Sequence, residues 1–265
     1  MNILYIGDVM GEMGLQTVSE VLPTLERERS IDLVVAQSEN VTEGKGVTPE
    51  DFKRLRDMGV DFCTGGNWSL ERLEIVPQLN DPNVPIIRPA NYPNGMPGLG
   101  YKYADTRRGK VLVISLLGQV VGKDADKQLD NPLQIVDGIL HRENASNRVA
   151  AVVNFHGDYS SEKVVMGHYL DGRVSMVVGD HWHVPTADAR VLPGGTAHMS
   201  DVGMCGALDS SLGIAYESII PRWRDGTRTR NELATTGHRQ FNALLVVADD
   251  HGLAQSAEHI QRYLS

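Results

Sequence analysis

Residues 1–9 read Met1-Asn2-Ile3-Leu4-Tyr5-Ile6-Gly7-Asp8-Val9, a short apolar run that stops on a glycine and a carboxylate. A run this short, with β-branched and aromatic members, fits a buried strand rather than a helix. The same arrangement recurs down the chain. Ile31–Ala36 runs into Ser38-Glu39-Asn40, and Val60–Thr64 into Gly65-Gly66-Asn67. Val149–Phe155 runs into His156, and Arg173–Val178 into Gly179-Asp180-His181-Trp182-His183. Stretches of helical period lie between these runs, and that alternation indicates an α/β architecture. In an open α/β sheet, ligands collect at the carboxyl ends of the strands, which is where these polar residues fall.

The intervening segments can be placed coarsely. Leu15, Val18, Leu22 and Leu25 lie at helical spacing, with Pro23 expected to disturb the middle of that helix. Thr48-Pro49-Glu50-Asp51 combines a hydroxyl cap, a first-turn proline and early acids, so a helix should run from there to about Met58 and stop at Gly59. Ser69–Leu79 reads as helical, and Pro82–Gly98 as a long ordered loop. Tyr101–Tyr103 and Val111–Leu117 flank Arg107-Arg108-Gly109-Lys110 as a hairpin. Helices are expected at Pro132–Arg142, Ser161–Leu170 and near Leu212–Trp223, with short strands beyond Pro193 and a late strand at Asn242–Val247. No repeat or linker interrupts the pattern, and residues 1–265 read as one domain.

Composition narrows the function. The 265 residues carry 25 Lys+Arg against 34 Asp+Glu, a net charge of −9, and no basic run, which argues against a duplex nucleic acid partner. No apolar stretch reaches the roughly 18–20 residues of a membrane span. MNILYIGD lacks the features of a secretory signal, and two cysteines are too few for a disulfide framework, so a cytoplasmic protein is expected. An acidic chain can still take a small anionic substrate if something local supplies positive charge. A metal would do so.

The strand ends offer two carboxylates (Asp8, Glu39), two amides (Asn40, Asn67) and three imidazoles (His156, His181, His183). That is enough to hold two ions through one bridging group, and Glu39 is the natural bridge. Mixed nitrogen and oxygen donors suit Mn, Fe or Zn better than Mg or Ca. His181 and His183 are two apart, so an extended backbone would turn both rings to one side and Trp182 to the other. Each residue has a plainer reading as well. Asp8 and Asn67 could be turn residues, Glu39-Asn40 a loop start, and His156 a hydrogen-bonded core histidine. It is their coincidence at five strand ends that points to metal.

With those residues in view, the sequence resembles the calcineurin-like metallophosphoesterases, and within them the bacterial YmdB-type branch. The matching stretches are Ile6-Gly7-Asp8-Val9, Glu39-Asn40, Gly66-Asn67, Arg88-Pro89-Ala90-Asn91, Phe155-His156 and Ser161-Glu162-Lys163. They continue with His181-x-His183-Val184-x-Thr186-Ala187-Asp188, Gly195-Thr196-Ala197 and Asp201-Val202-Gly203-Met204, in order to about residue 220. The resemblance implies a four-layer α-β-β-α sandwich with a dinuclear centre of two divalent or mixed-valence ions. Carried over by position, Asp8, Asn40 and His183 would hold one ion and Asn67, His156 and His181 the other, with Glu39 between them. It further implies a cytoplasmic homo-oligomer that hydrolyses small phosphodiesters, 2′,3′-cyclic nucleotides included, by in-line attack of a metal-bridging hydroxide.

Two departures stand out. The family reads Gly-Asn-His where this chain has Gly66-Asn67-Trp68, and Gly157-Asp158 replaces the usual Ala-Glu. The family histidine sits beside the scissile phosphate, where it can protonate the leaving oxygen. Indole offers only an N–H donor and cannot deliver a proton at neutral pH. Substitutes for it could be His168 or His198; Trp68 could instead stack on a flat group of the substrate. The alternative is a catalytically impaired, metal-binding sensor or regulatory protein of the same fold.

A more distant rival is a dinucleotide-binding domain, suggested by Gly7, Gly11 and Gly14 in the first turn with Glu39 ending the second strand. Val9 stands where the pyrophosphate needs a glycine, and Asp8 would repel it. A serine hydrolase lacks its Gly-x-Ser-x-Gly elbow. Cys63 and Cys205 read as buried small residues rather than nucleophiles. Arg88 and Asn91, in the long loop, are placed to touch substrate phosphate or to serve the loop itself. Ser161-Glu162-Lys163 reads as a helix cap, Asp188 and Arg190 as a loop ion pair, and Asp201 as outer support for the metal site. Trp182 and Trp223 read as packing residues.

Overall fold

The computed structural model describes residues 1–121, 128–143 and 148–265. The chain opens with β1 (Asn2–Ile6), β2 (Asp8–Val9), α1 (Gly11–Arg29), β3 (Leu33–Gln37), α2 (Pro49–Asp57) and β4 (Phe62–Thr64). After a 3-10 turn at Leu73–Ile75 and the short α3 (Val76–Asn80) come β5 (Tyr101–Thr106) and β6 (Gly109–Leu117). The middle of the chain gives α4 (Pro132–Arg142), β7 (Ala150–His156), α5 (Ser160–Tyr169) and β8 (Met176–Asp180). It closes with β9 (Arg190–Val191), β10 (Ala197–Met199), β11 (Met204–Ala207), α6 (Tyr216–Asp225), β12 (Arg239–Ala248) and β13 (Ala254–Leu264).

Two mixed sheets result. One has seven strands in the order β2-β11-β12-β1-β3-β4, with β13 on the other edge of β12; the second has six in the order β5-β6-β7-β8-β10-β9. Each contains a parallel run joined through helices, β1-β3-β4 in the first and β6-β7-β8 in the second. The carboxyl ends of these runs are the ends that carry the polar residues.

Alternation along the strands sorts most of the buried apolar residues into three large clusters. Leu4, Ile6, Val34 and Ala36 pack with Leu15, Val18 and Leu22 of α1 and with Leu55 of α2. Their neighbours Ile3, Tyr5, Leu33 and Val35 join Val113, Val152, Met176 and Val178 of the other sheet. The opposite face of that sheet, with Ile114, Val153 and Val177, packs on Val136 and Ile139 of α4 and Met166 of α5. Burying both faces of a strand explains why these segments read as unbroken apolar runs.

Several elements differ from expectation. Helix α1 runs straight through Pro23, because that ring is exposed and the bond it cannot make belongs to the carbonyl of exposed Ser19. The expected helix Ser69–Leu79 is only a 3-10 turn followed by α3; at its start Ser69 Oγ donates to Gly66 O at 2.7 Å, which favours a turn. Strand β13 has no counterpart among the expected elements. Helix α2 is capped as expected, with Thr48 Oγ1 accepting from Asp51 N at 3.2 Å. Among the described residues, no helix is long and apolar enough to cross a membrane.

Candidate metal centre

The site lies where the two sheets' strand ends meet. Asp8 comes from β2, Glu39 and Asn40 follow β3, and Asn67 follows β4. His156 ends β7, and His181 and His183 follow β8. A buried carboxylate ties the sheets together there. Asp180 Oδ2 accepts from Tyr5 Oη at 2.7 Å and Gln37 Nε2 at 3.1 Å on one sheet, and from Asn154 Nδ2 at 2.6 Å on its own. Its Oδ1 accepts a hydrogen bond from His156 Nδ1 at 2.7 Å. Asp180 is not among the residues the sequence singles out, although it adjoins His181; nothing local distinguishes a carboxylate that orients a ligand from one that is a ligand.

That bond directs His156 Nε2 inward, 2.9 Å from Glu39 Oε1 and 3.0 Å from Asn67 Oδ1. Carboxylate-backed histidines are the usual way of fixing a metal-binding ring nitrogen. Burial alone would depress the His156 imidazolium, but Glu39 and Asp180 overrule it and hold its pKa well above the ordinary histidine value. Donor atoms of Glu39, His156 and His181 lie within 4.8 Å of one another, and so do those of Asp8, His156 and Asp180. Gly66 is part of this cradle: a Cβ there would stand 2.5 Å from both Glu39 Oε2 and the His156 ring. Burial, reinforced by Asp180, pushes the Asp8 carboxyl well above the usual range.

Asp8, Asn40 and His183 are the candidates for the second ion. Asn40 Nδ2 donates to Gly44 O at 2.9 Å, leaving Oδ1 as a buried acceptor with no hydrogen bond. Asp8 Oδ1 is buried and without a hydrogen bond as well. His183 Nδ1 faces the carbonyl of Leu212 at 3.2 Å, so its Nε2 carries the lone pair, 3.9 Å from Asp8 Oδ1. Burial lowers the pKa of His183 and takes that of His181 down to about 4, keeping both rings neutral as ligation requires. Two buried oxygens without a hydrogen bond are expensive unless a cation completes them. The residues present fit a pair of metal ions.

The histidine loop corrects one expectation. His181 and His183 do not share a side through an extended backbone, because β8 ends at Asp180 and both take positive φ, 104° and 61°. Such conformations cost about 1–3 kcal/mol each and persist only where surroundings impose them. The restraints are on hand. Asp8 Oδ2 accepts from His181 N at 3.2 Å, and Asp201 Oδ2 from Trp182 N at 2.9 Å. Lys163 Nζ, fully buried, donates to Asp180 O and to Asp201 Oδ2, each at 2.7 Å, and lies 3.9 Å from the Trp182 ring centre. His181 Nε2 is 3.0 Å from Asp158 Oδ1, so the second departure from the family pattern touches a candidate ligand.

Of the two readings for Arg88 and Asn91, the contacts present are those that serve the loop. The Arg88 guanidinium donates to the carbonyls of Pro89, Pro97 (3.2 Å) and Met96 (3.3 Å). Asn91, fully buried, exchanges bonds with the backbone of Leu117 at 2.8 and 2.9 Å and reaches Asp130 O at 3.1 Å. Lys163 is an ion-pair anchor rather than part of a cap, and Glu162 accepts from Gln119 N instead. Asp188 binds the hydroxyls of Thr186 and Ser200, each at 2.6 Å, rather than Arg190. Trp223 is 82% exposed rather than packed in the core. His198 bonds Val177 O at 3.1 Å with its ring against Gly167 of α5, and His168 lies exposed on the same helix. Cys63 and Cys205 are buried, and burial pushes their thiols up to about 12, the behaviour of small core residues.

Trp68 sits at the rim. Its backbone N–H donates to Glu39 Oε2 at 2.9 Å, and Lys45 Nζ lies 4.5 Å from the ring centre. Next to it opens a cavity of about 440 Å³ lined in part by Asn67, Trp68 and Tyr92. The glycines of the dinucleotide rival face the protein itself: a Cβ on Gly7 would overlap Gly203 O, and one on Gly14 would stand 2.7 Å from Cys205 O. No pyrophosphate can approach there.

Two sheets meeting at a cage of carboxylate, amide and imidazole donors define a metallophosphoesterase of the calcineurin-like class. Residues 4–260 match the family described as YmdB-like protein, and the chain belongs to that family. It is 37% identical to the 2′,3′-cyclic-nucleotide 2′-phosphodiesterase of Bacillus subtilis over 265 residues, 100% of this chain and 97% of that protein. The crystal structure of a hypothetical protein from Thermus thermophilus matches with TM-score 0.90 and 34% identity, covering 100% of both chains. That of a novel phosphatase from Mycoplasma pneumoniae matches with TM-score 0.92 and 27% identity, over 100% of this chain and 94% of its own.

Proposed function

We propose that this chain is a metal-dependent phosphodiesterase acting on small phosphodiesters, 2′,3′-cyclic nucleotides among them. The observation that carries this reading is a pair of orphaned buried oxygens, Asp8 Oδ1 and Asn40 Oδ1, at strand ends that also present oriented imidazoles at His156 and His183. Asp8, Asn40 and His183 would hold one ion, Asn67, His156 and His181 the other, and Glu39 would touch both. Mixed N/O donors favour Fe, Mn or Zn. Two such ions, when bound, neutralise charge on the phosphoryl oxygens and acidify a water. The same reading carries the family's expectation of a cytoplasmic homo-oligomer.

The chain's own residues set the limits of this chemistry. Trp68 follows the ligand Asn67 and offers the leaving oxygen no proton, only an N–H. An absent general acid typically costs 10²–10⁴-fold, on the order of 3–6 kcal/mol of barrier, and least for leaving groups that depart readily. Turnover should therefore favour activated esters such as bis(4-nitrophenyl) phosphate. Trp68→His is expected to raise kcat for poor leaving groups by about 10²-fold or more, while changing nitrophenyl turnover far less. Steady-state assays with Mn²⁺ or Fe²⁺ read both. Trp68 also favours a second reading, a metal-binding sensor with little catalysis. No turnover in either protein with any of these metals would establish the sensor and end the phosphodiesterase.

A further inference from the structure

The cavity beside Asn67 is not used by the metal cage, yet the two share that residue. Its walls are aromatic and soft, with Trp68, Tyr92, Pro93 and Met96 among them. Both rings are held. Lys45 lies over Trp68 at 4.5 Å, while Tyr92 donates its hydroxyl proton to Gly66 O at 3.1 Å and has Arg88 at 5.5 Å from its ring centre. Fixed aromatic surface of this kind stacks flat heterocycles at little entropic cost. The volume, about 440 Å³, lies in the range of pockets that hold nucleotide-sized ligands.

One lining residue is charged. Glu71 lines the cavity one turn after Trp68, its backbone N–H bonded to Trp68 O at 3.0 Å. A carboxylate accepts hydrogen bonds and donates none. Guanine presents two adjacent donors on its pairing edge, N1–H and the 2-amino group, which match the two carboxylate oxygens. Adenine and cytosine each set a ring acceptor beside their amino group, and uracil has one donor between two carbonyls. Only guanine satisfies both oxygens without opposing a lone pair.

Resting on the phosphodiesterase reading above, we propose that this cavity is a nucleobase subsite that selects guanine, stacked on Trp68 and read by Glu71. The substitution of tryptophan for the family histidine then replaces a proton donor with a binding surface. Remote binding of this kind positions a phosphodiester that the site cannot help to leave.

The test uses the full chain loaded with Mn²⁺ and the 2′,3′-cyclic phosphates of guanosine, adenosine and cytidine. The guanosine ester should show kcat/KM at least about tenfold above the others, the usual worth of a bidentate base contact. Glu71→Gln, at an exposed position that does not threaten the fold, should collapse that ratio; Trp68→Ala should weaken both purines together. A parallel arm titrates guanosine and adenosine 2′-monophosphates and follows quenching of tryptophan fluorescence. Equal treatment of the bases in both arms, or a ratio unmoved by Glu71→Gln, overturns the subsite. Absence of all turnover with guanine-selective binding retained would instead remove the catalytic reading and leave the subsite standing.

Discussion

At the scale of single residues, Asp180 decides how the site is aimed. Its two oxygens gather four donors from both sheets, and only the bond to His156 Nδ1 turns that ring's Nε2 toward Glu39 and Asn67. The carboxylate does its work as an acceptor, so an isosteric amide should fill the space and fail the function. Asp180→Asn is expected to lower metal affinity by about 10–100-fold, as outer partners of ligating histidines usually do. Isothermal titration with Mn²⁺ measures this, and wild-type affinity in the variant would show that His156 does not depend on Asp180. The seven candidate donors are legible in the sequence because each lies at or just past a strand end; Asp180 is visible there but cannot be ranked. Arg88 and Asn91 keep two readings in the sequence for a related reason, since side chains that bind phosphate and side chains that bind carbonyls are the same side chains.

At the scale of elements, strand-to-loop transitions set the geometry. The loop after β8 holds two non-glycine residues at positive φ, and the restraint converges on Lys163 of α5. Removing that ammonium would leave Asp201 buried and unpaired, a change that costs about 3–5 kcal/mol. Lys163→Met should therefore show a markedly lower urea midpoint and lose metal affinity as the histidine loop relaxes. A stable variant with intact metal binding would contradict the anchoring role. Strands buried on both faces are readable as apolar runs, but β13 is not. It is an edge strand of the form Ala-Gln-Ser-Ala-Glu-His-Ile-Gln-Arg-Tyr-Leu, with only Ala254 and Ile260 buried, and the charges that protect an edge also erase its pattern. The helix expected at Ser69–Leu79 fails because Ser69 spends its hydroxyl on Gly66 O, in the turn that delivers Asn67.

For the whole molecule, the metal cage is a linkage between sheets. Donors from β2, from the turns after β3 and β4, and from β7 and β8 come together only when both sheets are packed, so ions bound there stabilise the folded state selectively. At a metal concentration a thousandfold above Kd the gain is about 4 kcal/mol. For a chain of this size that corresponds to a rise in Tm of roughly 10 °C. Calorimetry should show it with Mn²⁺, Fe²⁺ or Zn²⁺ and its reversal by chelator; a Tm indifferent to all of these would mean that the cage holds no ion.

The order of strands and helices, the residue types at the strand ends and the presence of an indole at position 68 were fixed by local chemistry, and local chemistry is what a sequence displays. Which nitrogen of each imidazole faces inward, why Asp180 supports while Asp8 is exposed to the cage, and where the wall of Trp68 and Tyr92 stands were decided only in three dimensions. These depend on partners far apart in the chain, such as Tyr5 and Asp180, or Asn67 and His156, and on a sheet-to-sheet distance that no single segment encodes.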